Sequence, residues 1–504
     1  MKKKTLFTIL LLLVLVLQVV MQVYLTAAVI RMNVLPDLYV LLMALGMLLV
    51  TGIVALLLFL PAKKPVSTIL RIVACVISVA VTGACLAMSI VVTDAYNTVH
   101  TITNQETTGT RNMYVFVRFD DPAVELGDAG DYTFAKIENY DVKHAEGAIA
   151  YIEETLGKTI SVTDCANAKE MAEKLLGEEV GALIMNGASV AILQENEEYA
   201  DFSEKIRILE TMPFSRLEEE DGEAEPPVTE PKLPKDVTNA PFVLYISGSD
   251  TRSSKLTVSR SDVNILAVVN PVTKQVLLIN TPRDYYVPNP AGDGAMDKLT
   301  HCGLYGAECS MEALGELYDL EVDFYGQLNF KGFETFIDAI GGVDVYLDQP
   351  FRVGALYIPA GENHFNGSRA LLFARARKTV PGGDNGRGKN QMRVIKAVVE
   401  KLTSGTTIIS NYSSILESLS GMFSTSMSMD DISMLVKMQL TDMAKWNVQS
   451  FAVTGVDGRE KTYSVGGYAY VMHEDERSTA YAAELAQRVI GGEILTEEDM
   501  KLPK

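Results

Sequence analysis

Three stretches near the amino end, residues 6–30, 38–60 and 72–93, hold 25, 23 and 22 residues without a charged side chain. About 20 apolar residues suffice to cross the hydrocarbon core of a bilayer, so the pattern predicts three transmembrane helices within residues 1–93. Lys2, Lys3 and Lys4 flank the first run, and Lys63, Lys64 and Arg71 lie between the second and third. The intervening loop carries only Arg31 and Asp37. The positive-inside rule puts the amino end in the cytoplasm and everything after residue 93 outside the cell. The competing reading of the first run is a cleaved signal peptide, with Ala27 and Ala28 at the cut. The length of the run and the two spans that follow weigh against it.

Beyond the spans the periodicity becomes that of a globular protein. Residues 113–119 and 181–185 read as strands, and 145–156 and 167–176 as helices, which predicts a small α/β domain over residues 94–216. Residues 217–240 begin LEEEDGEAEPPVTEPKLPKD, acidic and proline-rich, and predict an extended linker. A second α/β domain follows over 241–492, with a tail to 504. Its opening segment PFVLYISGSDTR reads as a strand, and residues 263–269 and 275–280 read as a hairpin turning at Asn270 and Pro271. Phe330, Phe333, Ile337 and Ile340 recur at helical spacing ahead of a strand at 343–347, and Met392, Ile395, Val399 and Leu402 form another helical stripe.

Charge sharpens this division. The chain's formal net charge is −20, but the segment through residue 92 has seven Lys and Arg against one Asp, so the remainder carries −26. That excludes a general nucleic-acid binder, which needs a broad cationic surface. Against this background Arg375, Arg377, Lys378, Arg387, Lys389 and Arg393 stand with Asp384 alone between the outermost two, a local +5. Asp384 or Asn385 is placed to cap a helix beginning near Gly386, on which Arg387 and Gln391 share a face. A helix amino terminus together with arginines is suited to hold phosphate.

The hairpin brings the start of one strand beside the end of the next, so Arg260 and Asp262 should lie near Arg283 and Asp284, at a sheet edge where α/β proteins often bind ligands. Asp250 and Asp262, with a substrate phosphate, are oxygen ligands of the kind Mg²⁺ uses. Each could equally cap a turn or pair with an arginine. The aromatic stripe reads either as core or as the wall of an apolar pocket. His100, His144, His301, His364 and His473 are scattered, and no zinc spacing appears. Cys302 and Cys309 are close enough in sequence to form a disulfide or to remain two buried thiols.

The segments GSDTR, RSD, TPRD, RAR and D-x-x-R, in this order and at these separations, resemble the LytR-CpsA-Psr family of cell-envelope proteins. The three spans and extra outer domain are similar to its CpsA-type members. The resemblance implies an α/β/α sandwich that binds polyprenyl pyrophosphate. It implies Mg²⁺, or Mn²⁺ in its place, on Asp250 and Asp262. Arg260, Arg283, Arg375, Arg377, Arg387 and Gln391 would then hold the pyrophosphate, and Phe330, Phe333 and Ile337 would help enclose the lipid tail. Arg283, Arg375, Arg377 and Asp384 would act in catalysis, Asp384 as base or helper near the acceptor. Many relatives read D-x-x-R-x-x-R-Q, whereas Asn390 stands here at the second arginine, with Lys389 beside it.

The activity so implied is transfer of a glycopolymer, such as capsule or teichoic acid, from its lipid pyrophosphate to peptidoglycan at the outer face of the plasma membrane. The other readings are hydrolysis of the lipid pyrophosphate without transfer, and a non-enzymatic regulator or scaffold that gathers envelope-polymer assembly proteins.

Overall fold

The computed structural model describes residues 2–59, 66–103, 112–138, 142–194, 197–213, 235–249, 259–292, 294–353, 356–377, 380, 383–404, 411–419, 421–465 and 467–503. Three helices in it are long and apolar enough to cross a membrane: α1 (Lys2–Met32), α2 (Asp37–Phe59) and α3 (Val66–Thr103). Polar side chains hydrogen-bond across them, as membrane helices favour. Thr51 donates to Gln22 Oε1 at 2.7 Å and Gln18 Nε2 donates to Thr51 at 3.3 Å. The third helix continues past its apolar stretch, and Tyr96 in that extension lies under the Arg31 guanidinium, 4.5 Å from the ring centre.

The small domain contains β1 (Asn112–Arg118), β2 (Thr133–Ile137), α4 (Val142–Leu156), β3 (Ser161–Cys165), α5 (Ala168–Leu176), β4 (Ala182–Asn186), α6 (Gly187–Leu193), α7 (Phe202–Lys205) and β5 (Ile206–Pro213). Its strands run in the order β3-β2-β4-β1-β5. Alternate side chains divide between two faces. Phe116, Ala135 and Leu183 meet Met171 and Leu175 of α5, while Val115, Phe134 and Ile184 meet Ala148 and Ile152 of α4.

The second domain is built on β6 (Phe242–Ser249), β7 (Ser261–Asn270), β8 (Gln275–Asn280), β9 (Tyr286–Asn289), β10 (Ala295–Lys298), α8 (Leu299–Cys302), α9 (Ala307–Tyr318), β11 (Phe324–Asn329) and α10 (Phe330–Ala339). There follow β12 (Val343–Leu347), β13 (Phe351–Val353), β14 (Leu356–Ile358), β15 (Gly361–Phe365), α11 (Gly367–Arg375), α12 (Gly383–Thr403), α13 (Tyr412–Leu419), β16 (Phe423–Thr425) and α14 (Met429–Asp442). The domain closes with β17 (Asn447–Ala452), β18 (Gly455–Thr462), β19 (Gly467–Glu474) and α15 (Glu476–Ile490).

The main sheet has the order β16-β11-β6-β7-β8-β17, with β11 parallel to β6 and β17 parallel to β8. Burial on both faces explains the near-continuous apolar runs of β7 and β8. Leu266, Val268, Leu277 and Ile279 pack against Leu314 and Tyr318 of α9 and Leu485 of α15. Ile265, Ala267, Val276 and Leu278 pack against Met392, Ile395 and Val399 of α12 and Leu435 of α14. The result is the expected α/β/α sandwich.

Two expected boundaries move. The last part of the predicted linker is folded onto the second domain: Val237 is fully buried, and Lys235 pairs with Asp323 at 2.8 Å. The expected tail is also integral. Leu495 is buried in the α9/α15 core, and its N–H donates to Gln275 Oε1 at 2.7 Å. In both cases an apolar residue in a mostly polar segment finds a hole in the core, a match that local composition does not register.

The domain rests on the ends of the spans. Met429 and Val436 of α14 pack against Met32, Val34, Ala95 and Val99, Lys437 pairs with Asp37 at 2.8 Å, and Ser433 donates to the Met32 carbonyl at 3.4 Å. Helix α13 bridges α10 and α3.

Candidate functional site

The hairpin register Ile265↔Asn280, continued outward, places Asp262 opposite Arg283. Arg283 Nη1 donates to Asp262 Oδ1 at 2.7 Å, and both side chains are mostly buried. Strand β6 ends beside the same edge, with Ser249 opposite Ser261, and β11 ends there too, with Asn329 opposite Ser249. Asn329 Oδ1 accepts from Gly332 N at 2.7 Å and so starts α10 at this edge. A hydroxyl cluster lies beneath it. Tyr245 and Ser247 both reach Ser261 Oγ, at 2.9 and 2.8 Å, and Tyr245 donates to Asn264 Oδ1 at 2.7 Å.

Helix α11 delivers the next cations. Arg375 is exposed at its carboxyl end, with its guanidinium 4.4 Å from the ring centre of Phe330, the first residue of α10. Such stacking is favourable for a guanidinium, which is weakly hydrated. The chain then turns extended at Ala376 and sets Arg377 Nη2 3.8 Å from Asp284 Oδ2.

Helix α12 begins at Gly383, earlier than the expected start near Gly386, so Asp384 and Asn385 lie in its first turn instead of capping it. Gly388 is pressed against β8, where a Cβ would fall 2.2 Å from the Asn280 side chain. Only glycine lets the helix start approach the sheet edge this closely. Arg387 and Gln391 are both buried on this helix. Asn390 is also buried, and its amide donates to the Phe373 carbonyl at 3.3 Å. The residue that departs from the family pattern thus ties α12 to α11. Lys389, beside it, is exposed.

Of the remaining expected residues, Arg260 precedes β7 at the same edge and is partly buried. Phe333 packs partly buried against a satellite core, whereas Ile337 is fully enclosed in that core with Val343, Phe365 and Phe373. The helical stripe is therefore divided: its carboxyl half is core, and its amino half, Phe330, faces the arginines. Asp250 and the side chain of Asp384 lie outside the described residues.

A family model described as the LytR_cpsA_psr family matches residues 214–485, more than half of the chain. The chain belongs to the LytR-CpsA-Psr family. A relative from Enterococcus faecalis, named polyisoprenyl-teichoic acid–peptidoglycan teichoic acid transferase TagU, is 34% identical over 194 residues, which are 38% of this chain and 63% of the relative. A protein of the same name from Oceanobacillus iheyensis is 31% identical over 278 residues, 53% of this chain and 82% of that one. The crystal structure of B. subtilis TagV is similar at 25% identity and a TM-score of 0.42, over 50% of this chain and 98% of that structure.

In this LytR-CpsA-Psr domain, sequence reasoning placed Asp284 at the sheet edge but missed the buried network around it. Asp284 is buried and shared among three cations: Arg283 Nε at 3.6 Å, Lys298 Nζ at 3.6 Å and Arg377 Nη2 at 3.8 Å. The hairpin register puts Asp284 at this edge beside Arg283, but nothing in the sequence signals that Lys298 and Arg377 share it. Lys298 arrives on β10, and nothing in the local sequence signals its partner. Next to it Asp297 is fully buried, accepting from His301 Nδ1 at 2.6 Å and from Ser464 Oγ at 2.5 Å. Tyr463 and Val465, on either side of Ser464, pack toward the small domain, Val465 against Ile192 of α6. Cys302 and Cys309 are free thiols, both buried. Their mutual hydrogen bond and burial push the Cys302 thiol up.

Burial alone would raise the Asp297 carboxyl, but His301, Ser464 and the Lys298 N–H outweigh it and hold the group below its ordinary value. A carboxyl lowered in the folded state stabilises the fold above its unfolded pKa, about 3.9, and that stability is lost as pH falls through the lowered folded value. Asp297→Asn should therefore cost about 3 kcal/mol near neutrality. The gap between variant and wild type should narrow in melts taken toward about pH 3. A gap that stays constant across that range would show that Asp297 acts through packing alone.

Proposed function

We propose that this chain is a membrane-anchored phosphotransferase that moves a glycopolymer of the teichoic acid or capsule class from polyprenyl pyrophosphate onto peptidoglycan, at the outer face of the plasma membrane. The observation that carries this reading is the junction at Arg375, whose guanidinium lies on the Phe330 ring with Arg377 and Arg283 held nearby by Asp284. Such a border between cationic and apolar surface fits a ligand that is pyrophosphate at one end and hydrocarbon at the other. The apolar side leads through α10 and α13 toward α3, so the lipid end points to the bilayer. The names of the relatives, which specify a polyisoprenyl-linked teichoic acid donor and a peptidoglycan acceptor, agree with it.

Arg283, Arg375, Arg377 and the amino end of α12, with Arg387 and Gln391, would bind the two phosphates and absorb the charge that grows on the leaving group. Asp262 has an oxygen-donor side chain suited to Mg²⁺, with Asp250 as its partner from sequence. Mg²⁺ bound there would add Lewis-acid neutralisation of the phosphates. The acceptor hydroxyl oxygen attacks the phosphorus of the sugar-linked phosphate. A phosphodiester forms, the bond to the bridging oxygen breaks, and polyprenyl phosphate departs. The hydroxyl proton passes to a carboxylate, for which the sequence nominates Asp384.

The test is the full chain in detergent with a lipid-pyrophosphate glycan, peptidoglycan and Mg²⁺. Wall-linked glycan and lipid monophosphate should appear in equal amounts. Lipid monophosphate with free glycan phosphate and no wall product would establish hydrolysis instead. If neither appears in vitro, and cells carrying Arg375 and Arg377 substitutions keep wall-linked polymer but lose complex assembly, the protein is a scaffold.

A further inference from the structure

The small domain meets the second domain close to the arginines. Ile192 of α6 belongs to neither core of its own domain; it is buried against Leu304 and Val465, with Tyr305 and Ala469 packed around them. Tyr305 and Tyr463 also pack against the α5-side core of the small domain. The contact therefore grips two segments of the second domain, residues 303–305 just after α8 and residues 463–465 between β18 and β19.

Each gripped segment leads directly to the backbone that carries Arg283 and Asp284. On the first, Thr300 N of α8 donates to the Arg283 carbonyl and Leu299 N to the Tyr285 carbonyl, both at 2.8 Å, and Lys298 Nζ at the head of α8 lies 3.6 Å from Asp284 Oδ1. Gly303 is pressed against the start of β7, where a Cβ would fall 2.7 Å from Ser261 N. On the second, β19 runs on to Met472, whose N–H donates to the Asp284 carbonyl at 2.7 Å. Asp297 locks the two arms together. It accepts from His301 Nδ1 on α8 at 2.6 Å and from Ser464 N and Oγ at 3.2 and 2.5 Å, and Asn289 Nδ2 reaches it at 3.3 Å. Tyr305 Oη lies 3.4 Å from Ser464 Oγ, a second tie between the arms. Asp297 and His301 are fully buried and Ser464 nearly so, which leaves water poorly placed to replace a lost partner.

We propose that the small domain is a positioning clamp for the phosphate site. Seated through Ile192 on residues 303–305 and 463–465, it holds the Asp297 joint closed, and through Ser464, His301 and Lys298 it sets the orientation of Arg283 and Arg377. Groups that act on a ligand keep their geometry only as well as the elements beneath them are held, so these positioning residues need not touch the ligand themselves. The inference rests on the phosphotransferase reading for what the arginines bind.

The test is the affinity of the full chain in detergent for inorganic pyrophosphate, read per folded molecule beside a thermal melt of each preparation. Ser464→Ala, which removes a donor from Asp297, and Ile192→Asp, which puts a charge into the contact between the domains, should each weaken binding by about tenfold. Val124→Asp, at a position 83% exposed elsewhere on the small domain, should leave it unchanged. In an Arg377→Ala background Ser464→Ala should cost about threefold or less, because one of the arginines through which it acts is gone. A role confined to stability would lower the melting temperature without moving affinity per folded molecule. The proposal is overturned if either Ser464→Ala or Ile192→Asp binds as wild type does, or if the loss from Ser464→Ala is as large without Arg377 as with it. A wild-type chain that does not bind pyrophosphate at all would sink the phosphotransferase reading, and the clamp with it.

Discussion

Alanine at both Arg375 and Arg377 is expected to lower kcat for transfer by about 10³-fold, with a melting temperature that moves by no more than a few degrees. Neither guanidinium is buried: Arg375 is exposed, and the Arg377 side chain is 42% exposed. Their folded-state contacts, a ring stack and a long ion pair at the surface, are each worth little to stability. Their value in the proposed reaction is different, because preoriented cations acting where charge develops in a partly dehydrated cleft need no reorganisation. Wall-linked product measured against time, beside a thermal melt of the same preparation, checks both halves. A variant with near wild-type turnover would remove the arginines from the chemistry. One with normal turnover per folded molecule but a low melting point would make them structural.

Asp284→Ala should destabilise the second domain by about 3–5 kcal/mol and abolish transfer with it. The Asp284 side chain is 4% exposed, Lys298 6% and Arg283 18%, so the substitution removes a carboxylate from two cations that have little access to water. Asp284→Asn should recover much of the stability, because an amide still accepts a hydrogen bond, but it should not restore activity, because Arg283 and Arg377 lose the charge that orients them. Unfolding in urea and transfer rates for the two variants give the comparison. If the asparagine variant transfers as well as wild type, the negative charge has no positioning role.

Much of this was readable from the chain because it depends on short-range pattern. Uncharged runs of membrane length specify α1 to α3, and apolar runs broken by turn residues specify β7 and β8. The hairpin between these strands fixes Asp262 against Arg283, since register in a tight hairpin leaves almost no freedom. The motif order was sufficient for the family, and the local +5 for the expectation of a phosphate site. The helical stripe from Phe330 to Ile340 was legible as a helix but not as a wall or a core. Its two ends face different environments, which periodicity cannot distinguish.

What only the tertiary structure decided are the meetings of residues far apart in sequence. Asp284 becomes a hub because β10 brings Lys298 and α11 brings Arg377 to the same buried carboxylate. Asp297 is satisfied by Ser464, contributed from more than 160 positions away. Asn390, which stands where many relatives carry an arginine, is a buried bracket between two helices. Composition and periodicity specify which elements form and which face is apolar. The identity of the residue that arrives to neutralise a buried charge depends on packing in three dimensions, where electrostatic energy is set by distance through space and by exclusion of water.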